Sequence, residues 1–135
     1  MRIAFGTDER TAVTDHVKDQ LERLGHELIV VGEDVAWPDV GRGVGEAVAA
    51  GRADRGVVCC WTGTGVSIAA NKVPGIRAAL CTDHHTAQGA RKWNDANVLA
   101  FGLRLTSPTV ADEMLEAFLT TDPDESEAEN YERLG

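Results

Sequence analysis

The chain has 135 residues, a formal net charge of -9, 43% hydrophobic and 26% charged residues. That length specifies one domain able to bury a core without staples. The acidic balance, with no basic stripe, excludes a nucleic-acid-binding protein. No apolar run approaches the roughly 20 residues that span a bilayer.

With three Trp, one Tyr and three Phe, the core must consist mostly of Val, Leu, Ile and Ala. The N-terminal MRIAFG lacks a secretory apolar region and reads as a strand, so the expected location is cytoplasmic. Three cysteines are an odd number, and none stand in C-x-x-C spacing. Reduced thiols are expected, with no zinc site and no disulfide framework.

Arg2–Gly6 (RIAFG) is the first expected strand. Val13, Val17, Leu21 and Leu24 recur at helical spacing, and Gly25 stops that helix. ELIVVG is the second strand. A loop holding Trp37 and Pro38 leads to a helix through Val44 and Val48 to about Ala53. RGVVCC is the third strand, with Cys59 and Cys60 pointing to opposite faces. GVSIAANK is a short helix closed by Pro74 and Gly75, and RAALC is the fourth strand. Thr82 or Asp83 caps a helix from about His84 to Trp93, and NVLAFG is the fifth strand. Ser107 and Pro108 open the next helix as cap and first-turn proline, and Val110, Met114, Leu115 and Phe118 line its buried face. The final DPDESEAENYERLG carries six acids against one arginine. Residues 122–135 are therefore expected as an acidic tail or short helix, belonging to the same domain as residues 1–121.

Five strands separated by helices predict a three-layer, Rossmann-like α/β fold: a five-stranded parallel sheet with helices on both faces. In such sheets ligands bind beyond the carboxyl ends of the strands. Those ends are Thr7 to Glu9, Cys60 to Gly65, Thr82 to His85, and Gly102 to Arg104.

TGTG, Thr62–Gly65, lies between a strand and a helix start. Glycines there let backbone N–H groups approach an anion, and the helix dipole favours negative charge. The stretch is neither GxGxxG nor GxxxxGK[ST], and a plain tight turn is an equal alternative. Cys60 shifts the balance, because a thiol at a strand tip beside a helix N-terminus is placed for a lowered pKa. Cys59 and Cys81 read as small buried hydrophobes. Asp8 is either a helix cap or an acid or base facing the same crevice. His85 is an exposed helix-start histidine, or an acid for that crevice.

CWTGTGVSIAANKVPGIRAALCTD, with WNDANVLAFGLR and the opening RIAFGTDE, resembles the type B ribose-5-phosphate isomerases and the galactose-6-phosphate isomerase subunits, from Arg2 to about Leu119. The resemblance implies metal-free, cofactor-free aldose–ketose isomerisation by a homodimer or a tetramer, with active sites shared at the subunit interface. Cys60 falls on the family's catalytic base, which moves a proton between C1 and C2. Thr62 falls in the same loop as a hydrogen-bonding or relay group. The amides of Gly63, Thr64 and Gly65 fall where an enediolate oxygen is held. Asp8 and Asn94 match positions that contact substrate hydroxyls, and Arg104 matches a phosphate anchor.

The departures concern both substrate ends. Trp93 stands where the family has its ring-opening histidine, Glu9 where histidine often follows the aspartate, and Trp61 where a glycine follows the cysteine. The C-terminal phosphate-binding arginines have no clean match: Glu127, Glu129 and Tyr131 stand nearby and only Arg133 remains. Trp61, Trp93 and Arg104 are expected to line one pocket, with the indoles shrinking it and stacking on a sugar face. The resulting expectation is an isomerase of a sugar or sugar phosphate, with a smaller or unphosphorylated open-chain substrate rather than ribose 5-phosphate. The alternative is a non-catalytic, regulatory sugar binder that retains the fold.

Overall fold

The computed structural model describes residues 1–135. The elements follow in the order β1 (Arg2–Thr7), α1 (Ala12–Arg23), β2 (Glu27–Glu33), α2 (Trp37–Ala49), β3 (Arg55–Cys60), α3 (Thr64–Asn71), β4 (Ala78–Leu80), α4 (His84–Asn94), β5 (Val98–Gly102) and α5 (Pro108–Thr120). A 3₁₀ turn and the short helix α6 (Ala128–Tyr131) complete the chain with a last 3₁₀ turn. All strand pairs are parallel, in the order β2-β1-β3-β5-β4. The Rossmann-like three-layer reading therefore holds. No helix is long and apolar enough to cross a membrane.

The period-two alternation of the strands sorts the core into two layers. Ile3, Phe5, Val57, Cys59, Leu99 and Phe101 pack with residues of α1, α4 and α5. Ala4, Val58, Cys60, Val98 and Ala100 pack with residues of α2 and α3. The adjacent cysteines thus enter opposite layers, as the alternation requires. The second layer is thin. A Cβ on Gly41 would lie 2.6 Å from the Ala69 Cβ and the Val66 carbonyl oxygen, so α2 and α3 meet almost backbone to backbone.

Three boundaries differ from the sequence expectation. α2 begins at Trp37 itself, because Pro38 occupies the first turn, where a missing N–H leaves no bond unmade. It ends at Ala49 rather than near Ala53, and Gly51 turns the chain out with a φ of 76°. β4 is three residues long. β2 is an edge strand, and Val30 and Val31 remain 45% and 38% exposed. Of the two candidate caps before α4, Asp83 takes the role, accepting the Thr86 N–H at 2.7 Å.

A buried charge cluster fixes the turn after α4. Arg91 is 4% exposed; it binds Asp95 at 2.9 Å and donates to the Ala96 and Thr121 carbonyls. Arg77 takes the other Asp95 oxygen at 2.8 Å. Together they hold Asp95 in the left-handed region, at a φ of 47°. The acidic C-terminal segment runs back along α4: the Asp124 N–H donates to the Lys92 carbonyl at 2.9 Å, and Tyr131 is buried.

Candidate active site

The strand order reverses between β1 and β3, the switch point at which parallel sheets open a crevice. Thr7 is in register with Cys59, so Asp8 and Cys60 leave adjacent strands side by side. Cys60 in turn is in register with Gly102, which brings the segment leading to Arg104 alongside.

At the end of β1, Thr11 caps α1, accepting the Thr14 N–H while the Thr14 hydroxyl accepts the Thr11 N–H. Asp8 is therefore not the cap. Its Oδ1 is buried without a hydrogen-bond partner. Desolvation, and secondarily the Glu9 charge, raise the Asp8 carboxyl above the usual carboxylate range. A buried acceptor left unpaired is costly, and a ligand group is the simplest partner for it. Glu9 has an exposed side chain, and its backbone is fastened to the Thr7 hydroxyl by contacts of 2.7 and 3.2 Å.

At the end of β3, Cys60 is 5% exposed. Burial pushes the Cys59 and Cys81 thiols up to about 12. Beyond Cys60 the chain continues beside the segment after β5. The Leu103 N–H donates to the Cys60 carbonyl and the Arg104 N–H to the Trp61 carbonyl, both at 2.9 Å. Gly63 then turns the chain into α3 with a φ of 80°, where a Cβ would meet the Phe101 carbonyl carbon and Leu80 Cδ1 at 2.6 Å. No side chain caps α3, and its first intrahelical bond is from the Ser67 N–H to the Gly63 carbonyl. The amides of Thr64, Gly65 and Val66 are therefore free of intrahelical partners, at the positive end of the helix dipole. The Thr62 and Thr64 hydroxyls join at 2.8 Å beside them.

Trp37 belongs to this surface, and the sequence reading left it in a loop. A Cβ on Gly65 would lie 2.8 Å from Trp37 Cδ2 and Cε3, so the indole rests against the amide loop. No local period marks that contact, because it joins the first turns of two helices from different βα units.

Two cavities open nearby. One, of about 170 Å³, is lined by Trp61, Thr62, Leu80, Cys81 and Arg104, among others. The second, of about 790 Å³, lies over β4 and is lined by Leu80, His85, Trp93, Asn94 and Leu134, among others. Within one chain, then, Trp61, Thr62 and Arg104 come together, and Trp93 and Asn94 come together elsewhere. The single pocket expected between Trp61, Trp93 and Arg104 is not formed in one chain, because Trp93 belongs to α4 on the β4 edge. The indoles also do not fill their surroundings: Trp61 is 58% and Trp93 52% exposed. The tail reaches the larger cavity through Leu134, an apolar contact.

Residues 3–134 match the family model described as Ribose/Galactose Isomerase. The chain is 41% identical over 123 residues to ribose-5-phosphate isomerase B of Escherichia coli (strain K12), covering 87% of this chain and 83% of that protein. It is 38% identical over 125 residues to D-erythrulose-4-phosphate isomerase of Pectobacterium atrosepticum, covering 88% and 82% of the two. The solved structure of ribose-5-phosphate isomerase B of Clostridium thermocellum superposes with a TM-score of 0.94 at 39% identity, covering 100% of this chain and 95% of that one. The chain belongs to the ribose/galactose isomerase family. In class it is an aldose–ketose isomerase.

Proposed function

We propose that the chain interconverts an open-chain aldose and ketose through a cis-enediolate, with Cys60 as the base. The observation that carries this reading is the placement of Cys60: the last residue of β3, at the head of the loop that leads into the uncapped N-terminus of α3, on the strand end next to Asp8, whose Oδ1 is buried and unpaired. The Cys60 thiolate removes the proton from the carbon next to the carbonyl and returns it to the former carbonyl carbon. The amides of Gly63, Thr64 and Gly65 hold the enediolate oxygen while its charge is largest. The matching hydroxyl proton passes between O1 and O2 through Asp8, with Thr62 hydrogen-bonded in the path. Trp61 and Glu9 flank the carbon chain, and Arg104 takes the far end. No step requires a metal or cofactor, since the carbon proton is already acidified by the neighbouring carbonyl and the amides carry the charge.

The substrate is a short open-chain sugar or sugar phosphate rather than ribose 5-phosphate. Two observations support this. The imidazole that the family resemblance associates with ring opening is replaced by Trp93, and one relative of similar identity is a D-erythrulose-4-phosphate isomerase. A tetrulose phosphate has no hydroxyl placed to close a stable ring, so it needs no ring opening. The expected result is a higher kcat/KM for D-erythrulose 4-phosphate than for ribose 5-phosphate, with Trp93→His raising the ribose 5-phosphate value. A native kcat/KM on ribose 5-phosphate of roughly 10⁴ M⁻¹s⁻¹ or more refutes the altered substrate.

The active unit is a homodimer with shared sites, in the cytoplasm. Supporting this, Trp93 and Asn94 lie in a different cavity from Trp61 and Arg104. Leu80, which lines both cavities, and Leu105, which lines the smaller one, are 38% and 66% exposed, and Ile68 on α3 is 60% exposed. A second copy presenting its Trp93 and Asn94 to Cys60 would complete the site and cover this apolar surface. Sedimentation should give at least twice the 14.5 kDa chain mass at micromolar concentration. A stable monomer with full activity excludes the shared site.

A further inference from the structure

The side chain of Trp93 is laid along its own helix. Helical side chains lean toward the N-terminus and cover the residue about one turn earlier. That residue is Gly89. A Cβ there would lie 2.6 Å from Trp93 Cζ3 and 2.8 Å from Cε3, so the ring occupies the space where any other residue would carry a side chain. Gly89 is buried beneath it, while Trp93 is 52% exposed. One face of the indole thus rests on α4 and the other is open to the cavity of about 790 Å³. That volume is within the usual range of small-molecule sites, roughly 300–1,000 Å³.

Most of the polar side chains around this cavity are already engaged. Asn71 donates to the Ala78 carbonyl at 2.9 Å and accepts the Ala78 N–H at 2.8 Å. Arg77 is held by the Asp95 backbone and carboxylate. The Thr86 hydroxyl donates to Asp83. His85 and Asn94 are the two lining polar side chains left exposed and uncommitted, and they share the cavity with the indole. An aromatic face and two hydrogen-bonding side chains suit a hydroxylated carbon chain: the C–H groups lie on the ring and the hydroxyls reach its edges. The imidazole nitrogens and the carboxamide both offer hydrogen-bonding positions that a hydroxyl group can pair with.

We propose that His85 and the Gly89-seated indole of Trp93 form a binding subsite for the hydroxyl-bearing carbons of an open-chain sugar. Gly89 is then the specificity-determining position, because its missing side chain sets the height of the platform. His85 acts as the hydrogen-bonding residue that fixes the chain on it. The subsite rests on the isomerase reading for the identity of its ligand.

Calorimetric titration of D-erythrulose 4-phosphate into the Cys60→Ser protein measures binding without turnover. In that background His85→Ala is expected to weaken Kd about tenfold, the loss of roughly one hydrogen bond. His85→Gln, which keeps a donor and an acceptor, should recover part of it. Gly89→Ala should weaken binding by at least as much, and adding Trp93→Phe should relieve the effect by removing the ring that the new methyl displaces. Thermal melts confirm that each variant is folded, and His85, on the exposed first turn of α4, is the position least able to disturb folding. If His85→Ala and Gly89→Ala both bind within twofold of the parent, the subsite is wrong while the isomerase reading stands. If they weaken binding as stated but the native protein shows no proton exchange into the sugar, the isomerase reading is wrong while the subsite stands. No binding to the parent overturns the subsite for this ligand class.

Discussion

Cys60→Ser is expected to lower kcat by roughly 10²–10⁴-fold and to leave the affinity for D-erythrulose 4-phosphate within about twofold. Serine keeps the shape and the hydrogen-bonding capacity of cysteine, but its hydroxyl does not ionise near neutral pH, so binding is preserved and the base is lost. Cys59→Ser is the internal comparison. Cys59 is fully buried in the layer with α1 and α5, and burial holds its thiol at about 12. It therefore stays a neutral thiol in the working pH range. A hydroxyl there should destabilise by roughly 1–3 kcal/mol, leaving turnover per folded molecule near native. Initial-rate kinetics and urea melts on the two variants separate base from packing residue. Near-native turnover in Cys60→Ser removes the assignment.

Gly63→Ala should damage both stability and turnover, and more than its backbone conformation alone requires. A φ of 80° costs a residue with a Cβ roughly 1–2 kcal/mol. In addition, the new methyl would meet the Phe101 carbonyl carbon at 2.6 Å, and backbone cannot swing aside. The loop must then shift, carrying the Gly63–Gly65 amides away from the enediolate oxygen. A displacement of about 1 Å is enough to cost roughly 10²-fold in rate. Gly75→Ala is the matched control: its φ is 87°, but nothing lies within 4 Å of the new methyl. It should show the conformational cost and normal turnover. Equal losses of stability and rate in the two variants would mean that the contact with β5 does not hold the loop in place.

Most of the frame is written locally. Ser107 before Pro108, Gly25 after the Val13–Leu24 stripe, and the apolar runs RIAFG, RGVVCC and NVLAFG each encode an element within a few neighbouring residues. The alternation of Cys59 and Cys60 is equally local, since successive strand residues must face opposite ways. The helix caps were half legible: Thr82 and Asp83 both qualify by type. Asp83 takes the role because it stands three residues before the Thr86 N–H it accepts. Asp8 was ambiguous for the same reason, until Thr11 and Thr14 claimed the cap of α1 between them. What was not legible depends on pairs that meet across the fold. Trp37 against Gly65 is one such pair, and the unpaired Asp8 oxygen is another product of burial that no sequence spacing reveals. Trp93 over Gly89 sits in between. The four-residue spacing is visible in the sequence, but it becomes a platform only because the cavity leaves the outer face of the ring bare.

The sequence by itself determined the order and kind of the elements, the strand ends at which chemistry can sit, and the family, through the stretch from Cys60 to Lys72 together with NDANVLA. These are short-range properties: hydrophobic period, capping chemistry and motif spacing act over one or two turns of chain. The tertiary structure alone decided that β2 is an exposed edge and that the acidic tail lies along α4. It also decided that Trp93 and Asn94 face a cavity separate from that of Trp61 and Arg104. Each of these depends on which strands become neighbours. That choice is made by burying two apolar faces of one sheet at once, a condition on the whole chain that no local stretch contains.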